Sequence, residues 1–222
     1  QQGFFTTKQA EAAGFRRQTH YYQTKTCHWI REHRGIYRLA HFPAPERPDL
    51  VRWFLWSRNR EEVPLGVYSH ETALTLHDLS DAMPAKLHMT VTKSFRRSSP
   101  IPKALVLHRN EIPRADVEMI DHVNVTRPFR TIIDLLEEGR ISQDLLVQAL
   151  REGLRRGLIT QRAIRQTPLP KALEKEFKKR GIKILVGHKV ESVEATGTGV
   201  AVKVSADGKE TVLEADQALV AI

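Results

Sequence analysis

Apolar residues recur at helical spacing in some stretches of the chain and alternate with polar ones in others, which predicts its elements. Thr6 precedes Gln9 by three positions, the capping-box spacing, with Phe4 and Phe5 before it as staple residues. A first helix is expected over Lys8–Ala13, stopped at Gly14. A second fits Phe15–Thr26. Counted at about 100° per residue from Phe15, it turns Phe15, Thr19, Tyr22 and Thr26 to one face and Arg16, Arg17, His20, Tyr21 and Thr24 to the other. From Trp29 to Leu39, aromatic and β-branched residues flank a tight Arg34-Gly35 turn, the pattern of a two-stranded hairpin.

Beyond residue 40 the pattern changes twice. His41–Pro48 is rich in proline and reads as a linker at 43–48. A helix over Asp49–Arg58 should turn Leu50, Trp53, Phe54 and Trp56 inward, and Ser69–His77 forms another with Ser69 as N-cap. Lys86–Thr92 and Ala104–His108 read as strands. Helices follow from Thr126 to Leu136, with Pro128 in the first turn, and from Ile141 to Arg156, stopped at Gly157; Thr160 would cap a short last one. Thr167–Pro170 is a second break. After it a charged helix is expected at Lys171–Arg180, then strands at 182–186, 190–195, 200–205, 211–213 and 218–222, with Asp207-Gly208 as a hairpin turn. The expected fold is therefore α+β. A winged helix-turn-helix spans residues 1–42, a mixed α+β domain 49–167 and a short β-rich C-terminal fragment 171–222.

Charge sharpens this outline. The 222 residues carry a formal +9, which favours a polyanionic partner. Residues 1–40 hold seven Lys/Arg against Glu11 and Glu32, whereas residues 171–222 nearly balance, with nine basic and eight acidic residues. The excess thus falls on the helix pair and hairpin. The second helix offers one side to its domain and a basic side to a major groove, while the hairpin brings cations to flanking phosphates. The candidate DNA-contacting residues are Lys8, Arg16, Arg17, His20, Tyr21, Thr24, Lys25, Arg31, Arg34 and Arg38. Double-stranded DNA, an operator with inverted repeats, is the expected partner.

Other chemistry is set aside at this level. No apolar run approaches the roughly 18 residues needed to cross a bilayer. No secretory signal is visible, although the chain opens on Gln1 rather than Met. The single cysteine, Cys27, precludes an internal disulfide and fits a reducing cytoplasm; a half-buried structural thiol is expected there. His28 and His33 lie five apart on a strand and turn, pointing to opposite sides with no carboxylate or cysteine cluster beside them, so no metal site is expected. Ser69 and His70, adjacent on a helix, should not face each other as nucleophile and base. Arg130 and Asp134 are placed to brace one helix at i, i+4. No catalytic residue and no cofactor are expected.

Four ordered blocks carry a family resemblance: Phe5–Ala10, Arg34–Leu39, Tyr68–Asp81 and Val125–Leu135. Over residues 1–167 the chain resembles the AbiE-type (AbiEi) antitoxins, which are bacterial transcriptional regulators. The resemblance implies an operator-binding domain that represses its own operon and a second domain opposing a nucleotidyltransferase-like toxin. Residues 171–222 instead resemble part of the NAD-binding region of dihydrolipoamide dehydrogenase, through Lys171–Glu174, Gly181–Leu185 and Ala215–Ile222. A dinucleotide site needs a glycine-rich turn opening a helix, so that backbone N–H groups reach the pyrophosphate. No G-x-G-x-x-G occurs, and Cys27 has no redox partner. The tail is read as a fused or remnant piece of a flavin and NAD oxidoreductase without its active site, which leaves oxidoreductase as the alternative to regulator.

Overall fold

The computed structural model describes residues 2–43, 45–81, 83–160, 189–196, 199–206 and 209–215. Contacts divide the chain into two compact units, residues 1–77 with 82–127, and residues 78–81 with 128–222. The expected 171–180 helix, the 182–186 and 218–222 strands, the helix capped by Thr160 and the Asp207-Gly208 turn lie outside the described residues.

Unit 1 opens with strand β1 (Phe4–Thr6), helix α1 (Thr7–Ala12), helix α2 (Arg17–Lys25) and the hairpin β2 (Trp29–His33) and β3 (Ile36–Leu39). The capping box forms, since Thr6 N donates to Gln9 Oε1 at 2.9 Å and Gln9 N to Thr6 Oγ1 at 3.3 Å. Gly14 and Gly35 both adopt positive φ, +92° and +70°, where the helix stops and the hairpin turns. Phe4 and Phe5 are not staple residues. They belong to β1, which pairs antiparallel with β3 to give the order β1-β3-β2.

A single core runs across the stretch expected to be a linker. Helix α3 (Pro48–Trp56) packs on β1 and β3, and Phe4 and Ile36 are buried in the same cluster as Leu50, Val51, Phe54, Leu55 and Trp56. The proline-rich stretch is thus a connection within one unit, and the boundaries expected at 1–42 and 49–167 do not hold. Prolines fix backbone torsions but do not stop apolar faces on either side from meeting. Trp53, expected inside, is only half-buried; its ring takes the His33 imidazole edge-on at 5.3 Å.

The rest of unit 1 is a five-stranded mixed sheet in the order β6-β5-β4-β8-β7. Its strands are β4 (Val67–Tyr68), β5 (Leu87–Val91), β6 (Leu105–Arg109), β7 (Val117–Ile120) and β8 (Val123–Thr126), with helix α4 (His70–Leu76) between β4 and β5 in sequence. Tyr68 is fully buried and donates its hydroxyl to Leu50 O at 2.6 Å, tying the sheet to α3. Burial pushes that phenol well above its ordinary pKa, so it stays protonated. Ser57 Oγ makes a second tie, donating to Phe54 O at 2.7 Å and accepting from Gly66 N at 2.8 Å.

Unit 2 contains α5 (Pro128–Glu138) and α6 (Gln143–Arg155), which pack on each other. Ser142 caps α6, Gly157 ends it with φ +68°, and Arg130 Nε holds Asp134 Oδ1 at 2.8 Å, the brace expected within α5. Unit 2 also holds an antiparallel sheet of β9 (Lys189–Thr196), β10 (Gly199–Ala206) and β11 (Lys209–Ala215), with β10 in the middle. Helices and sheets of both kinds make the chain α+β, as the pattern predicts.

Candidate nucleic-acid interface

Helix α2 is fastened to the hairpin by an aromatic cluster. Trp29 is buried, with Phe5, Phe15, His20 and Tyr37 around it at centroid distances of 4.7, 5.1, 5.2 and 5.7 Å. His20 is 4% exposed and its Nε2 lies 3.0 Å from Phe15 O. His20 is therefore a core residue of the helix pair and cannot face a groove, a correction to the expected faces. The expected phase counts from Phe15, which precedes the helix. Phe15 N donates to Ala10 O across the α1–α2 turn, and the helix begins only at Arg17. Thr19 and Tyr22, expected inside, are exposed for the same reason.

What α2 presents outward is a stripe at i, i+4, i+8: Arg17, Tyr21 and Lys25, all exposed, with Tyr21 at 73%. Arg16 precedes them, also exposed, and a cleft of about 720 Å³ opens beside it at the α1–α2 turn. Arg17 Nε is paired with Glu11 at 3.2 Å. Thr24 is half-buried and donates to Tyr21 O at 2.8 Å, which occupies the hydroxyl proton that a base or phosphate contact would use.

On the hairpin, Arg31 and Arg34 are exposed and Arg38 is not free. Arg38 Nε donates to Glu32 Oε1 at 2.9 Å, and Glu32 also takes Arg52 Nη2 of α3 at 2.5 Å. Arg38 therefore braces β3 to β2 through Glu32, the residue that also holds α3, a second correction, since phosphate contact is what its charge leads one to expect. Lys8 is exposed, with Nζ donating to Arg60 O at 2.6 Å. Of the ten candidates, Lys8, Arg16, Arg17, Tyr21, Lys25, Arg31 and Arg34 remain on the surface.

Sequence reasoning missed the ground behind this surface. Arg58 donates to Gly35 O at 3.2 Å and Leu55 O at 2.8 Å, pinning the hairpin turn to the end of α3. Arg97 donates to Arg58 O at 2.7 Å and stacks over Trp56 at 5.3 Å. Burial holds its guanidinium below the ordinary arginine range, with help from neighbouring Arg58. Arg58 follows Trp56 by two positions, a pattern too common to assign a role, and Arg97 has no tryptophan near it in sequence. Cys27, expected to be half-buried, is exposed at φ +57° just after α2.

Ser69 departs from its expected role. Its hydroxyl does not cap α4 but lies 2.9 Å from His70 Nδ1 and 2.7 Å from Thr90 Oγ1. His70 has φ +53°, which turns its ring back onto the preceding residue and defeats the rule that helix neighbours do not meet. Ser69 is fully buried, so this is a held imidazole and not a nucleophile open to solutes. Among the described residues, no helix is long and apolar enough to cross a membrane.

No family model matches the chain. Over 52 residues, 23% of this chain, it is 56% identical to a dihydrolipoyl dehydrogenase of Mycobacterium leprae (strain TN), of whose length that stretch spans 11%. Part of this chain is therefore similar to a short piece of that enzyme, as expected for a C-terminal segment of chimeric character.

Proposed function

We propose that the chain is a DNA-binding regulator that reads duplex DNA with α2 and steadies itself on the phosphates with the β2–β3 hairpin. One observation carries the reading: an exposed stripe of Arg17, Tyr21 and Lys25 on a helix whose other side is fixed to a hairpin bearing exposed Arg31 and Arg34. A helix of this length fits a major groove, and cations on both helix and hairpin suit contact with groove and backbone together. The AbiE-type resemblance supports regulation of its own operon and opposition to a nucleotidyltransferase-like toxin. Its first two blocks fall on β1–α1 and on the hairpin turn with β3, and the third on β4–α4 up to His77, all within unit 1.

The test is binding of the full chain to duplex DNA from directly upstream of its own gene, against an unrelated duplex, over a salt series. Preferred binding to the upstream duplex is expected, with log K falling linearly in log salt. Arg16→Ala/Arg17→Ala should flatten that slope by about one for each phosphate no longer neutralised. Unchanged affinity and slope in the folded double variant would overturn the assignment of α2. For the antitoxin part, co-expression with a nucleotidyltransferase encoded beside this gene should relieve that protein's toxicity; failure to do so would leave a regulator without antitoxin action.

A further inference from the structure

Residues 1–40 carry two carboxylates among their seven cations, and the two are placed differently. Glu32 is 9% exposed at its side chain and held by Arg38 and Arg52. Glu11, near the end of α1, is 38% exposed and reaches across the α1–α2 turn to Arg17, its Oε1 3.2 Å from Nε. Among the described residues Glu11 is thus the one acidic group of this stretch open to solvent. It lines the cleft of about 720 Å³ together with Phe15, Arg16, Arg17 and Gln18. A carboxylate on a surface that meets phosphates weakens binding unless it serves something else.

Stability is not what it serves. An ion pair whose arginine side chain is 79% exposed contributes little, because water screens the charges and ordering both side chains costs entropy. Its effect lies in what Arg17 can bind. Arg17 is the first residue of α2, and the first residues of a groove-reading helix meet base edges. Glu11 is the only partner of its guanidinium among the described residues. A phosphate brought to that guanidinium carries a full negative charge and is repelled by Glu11. Two like unit charges about 4 Å apart in water weaken an association roughly fivefold. A base edge is neutral overall and escapes that repulsion, and guanine offers O6 and N7 together to the guanidinium fork.

We propose that Arg17 reads a guanine in the major groove and that Glu11 is its positioning residue, holding the guanidinium and turning phosphates away from it. The inference rests on the assignment of α2 as the DNA-reading helix. Glu11 lowers affinity for arbitrary duplexes and so widens the margin between the right sequence and the rest. Arg16, which has no acidic partner among the described residues, is left to the phosphates.

The experiment measures binding of the full chain to the duplex from directly upstream of its own gene and to an unrelated duplex, over a salt series. Guanines of the upstream duplex are replaced one at a time by 7-deazaguanine, which keeps base pairing and lacks the N7 acceptor. One replacement should weaken binding about fivefold, the lower end of what a bidentate contact discriminates, and should have no such effect on Arg17→Ala. Glu11→Gln should bind the unrelated duplex roughly fivefold more tightly, with a salt slope steeper by about one, because Arg17 is then free to neutralise a phosphate. Adding Arg17→Ala to Glu11→Gln should return the slope to that of the unaltered chain. A merely structural Glu11 would shift the urea midpoint and leave these quantities where they were. If every replacement felt by the unaltered chain is felt equally by Arg17→Ala, the base contact is overturned. Unchanged affinity for the unrelated duplex and unchanged slope in folded Glu11→Gln would overturn the role of Glu11. Arg16→Ala separates either result from failure of α2 itself: a slope flattened by about one keeps α2 on the DNA, and unchanged slope and affinity remove both readings.

Discussion

His33 ends β2 among cations and beside the Trp53 ring. Burial lowers its pKa below the ordinary imidazole value, the guanidiniums of Arg97, Arg52 and Arg58 lower it further, and a hydrogen bond with the Arg34 backbone works the other way. The folded chain therefore releases the His33 proton more readily than the unfolded chain does. As pH falls through about 6.5, the unfolded state takes up that proton first and the stability present above that pH is progressively lost, until the folded value is passed. His33→Gln should make the fall in urea midpoint between about pH 7 and pH 5 shallower than in the unaltered chain. An equal fall in both would remove His33 as a source of acid sensitivity. His20 and Tyr21 give a second contrast, adjacent in sequence but 4% and 73% exposed. His20→Ala opens the cluster around Trp29 and should cost about 1–3 kcal/mol, whereas Tyr21→Ala should stay within about 0.5 kcal/mol by thermal or urea unfolding. Tyr21→Ala should instead weaken DNA binding, and the reverse pattern would mean that the helix faces are still misassigned.

At the scale of elements, the hairpin turn depends on a glycine and an arginine far apart in sequence. Gly35 has φ +70°, and a Cβ there would sit 3.2 Å from Arg58 Nη2 and 3.3 Å from Thr7 Oγ1. Gly35→Ala should cost about 1–2 kcal/mol from the left-handed backbone alone. It should also loosen the turn from α3, seen as faster hydrogen exchange at β2 and β3; unchanged exchange would show that Arg58 does not secure the turn. The glycine was legible in the sequence and Arg58 was not. Elements with local signatures were read well: the Thr6–Gln9 box, the Arg34-Gly35 turn, the Gly157 helix stop and the strands at 87–91 and 105–109. Strands β1, β4, β7 and β8 were missed because each has only two to four residues, too few for a period to show, and is held by its neighbours. The candidate interface was half legible. Charge pointed to this region, but which side of α2 faces out depended on where the helix begins, a matter settled by the Ala10–Phe15 turn.

For the whole molecule, two consequences follow from where burial is shared and where it is lacking. Phe4 and Ile36 lie in one core with Leu50, Val51 and Phe54, so residues 1–42 alone should not give a dispersed NMR spectrum, and a fragment starting at residue 49 should be equally impaired. The sheet β9–β11 shows the opposite situation. Only Val204 is buried among its described residues, while Val190, Val193 and Val212 are 53%, 41% and 59% exposed. Among the described residues its outer strands, β9 and β11, have no further neighbour, and an open apolar edge is a template for association with another chain. Ending the chain after Thr160 should therefore leave affinity for the upstream DNA unchanged and lower self-association in light scattering. Similarity to dihydrolipoyl dehydrogenase covers 11% of that enzyme, and no G-x-G-x-x-G turn exists in this sequence to present N–H groups to a pyrophosphate. The nearly balanced charge of residues 171–222 supplies little compensating attraction for two phosphate charges. A fluorescence titration of the full chain with NADH should accordingly show no saturation at micromolar concentration. Saturable binding that disappears on truncation would mean that the tail keeps a nucleotide site built on other donors, and that the oxidoreductase reading has to be taken up again.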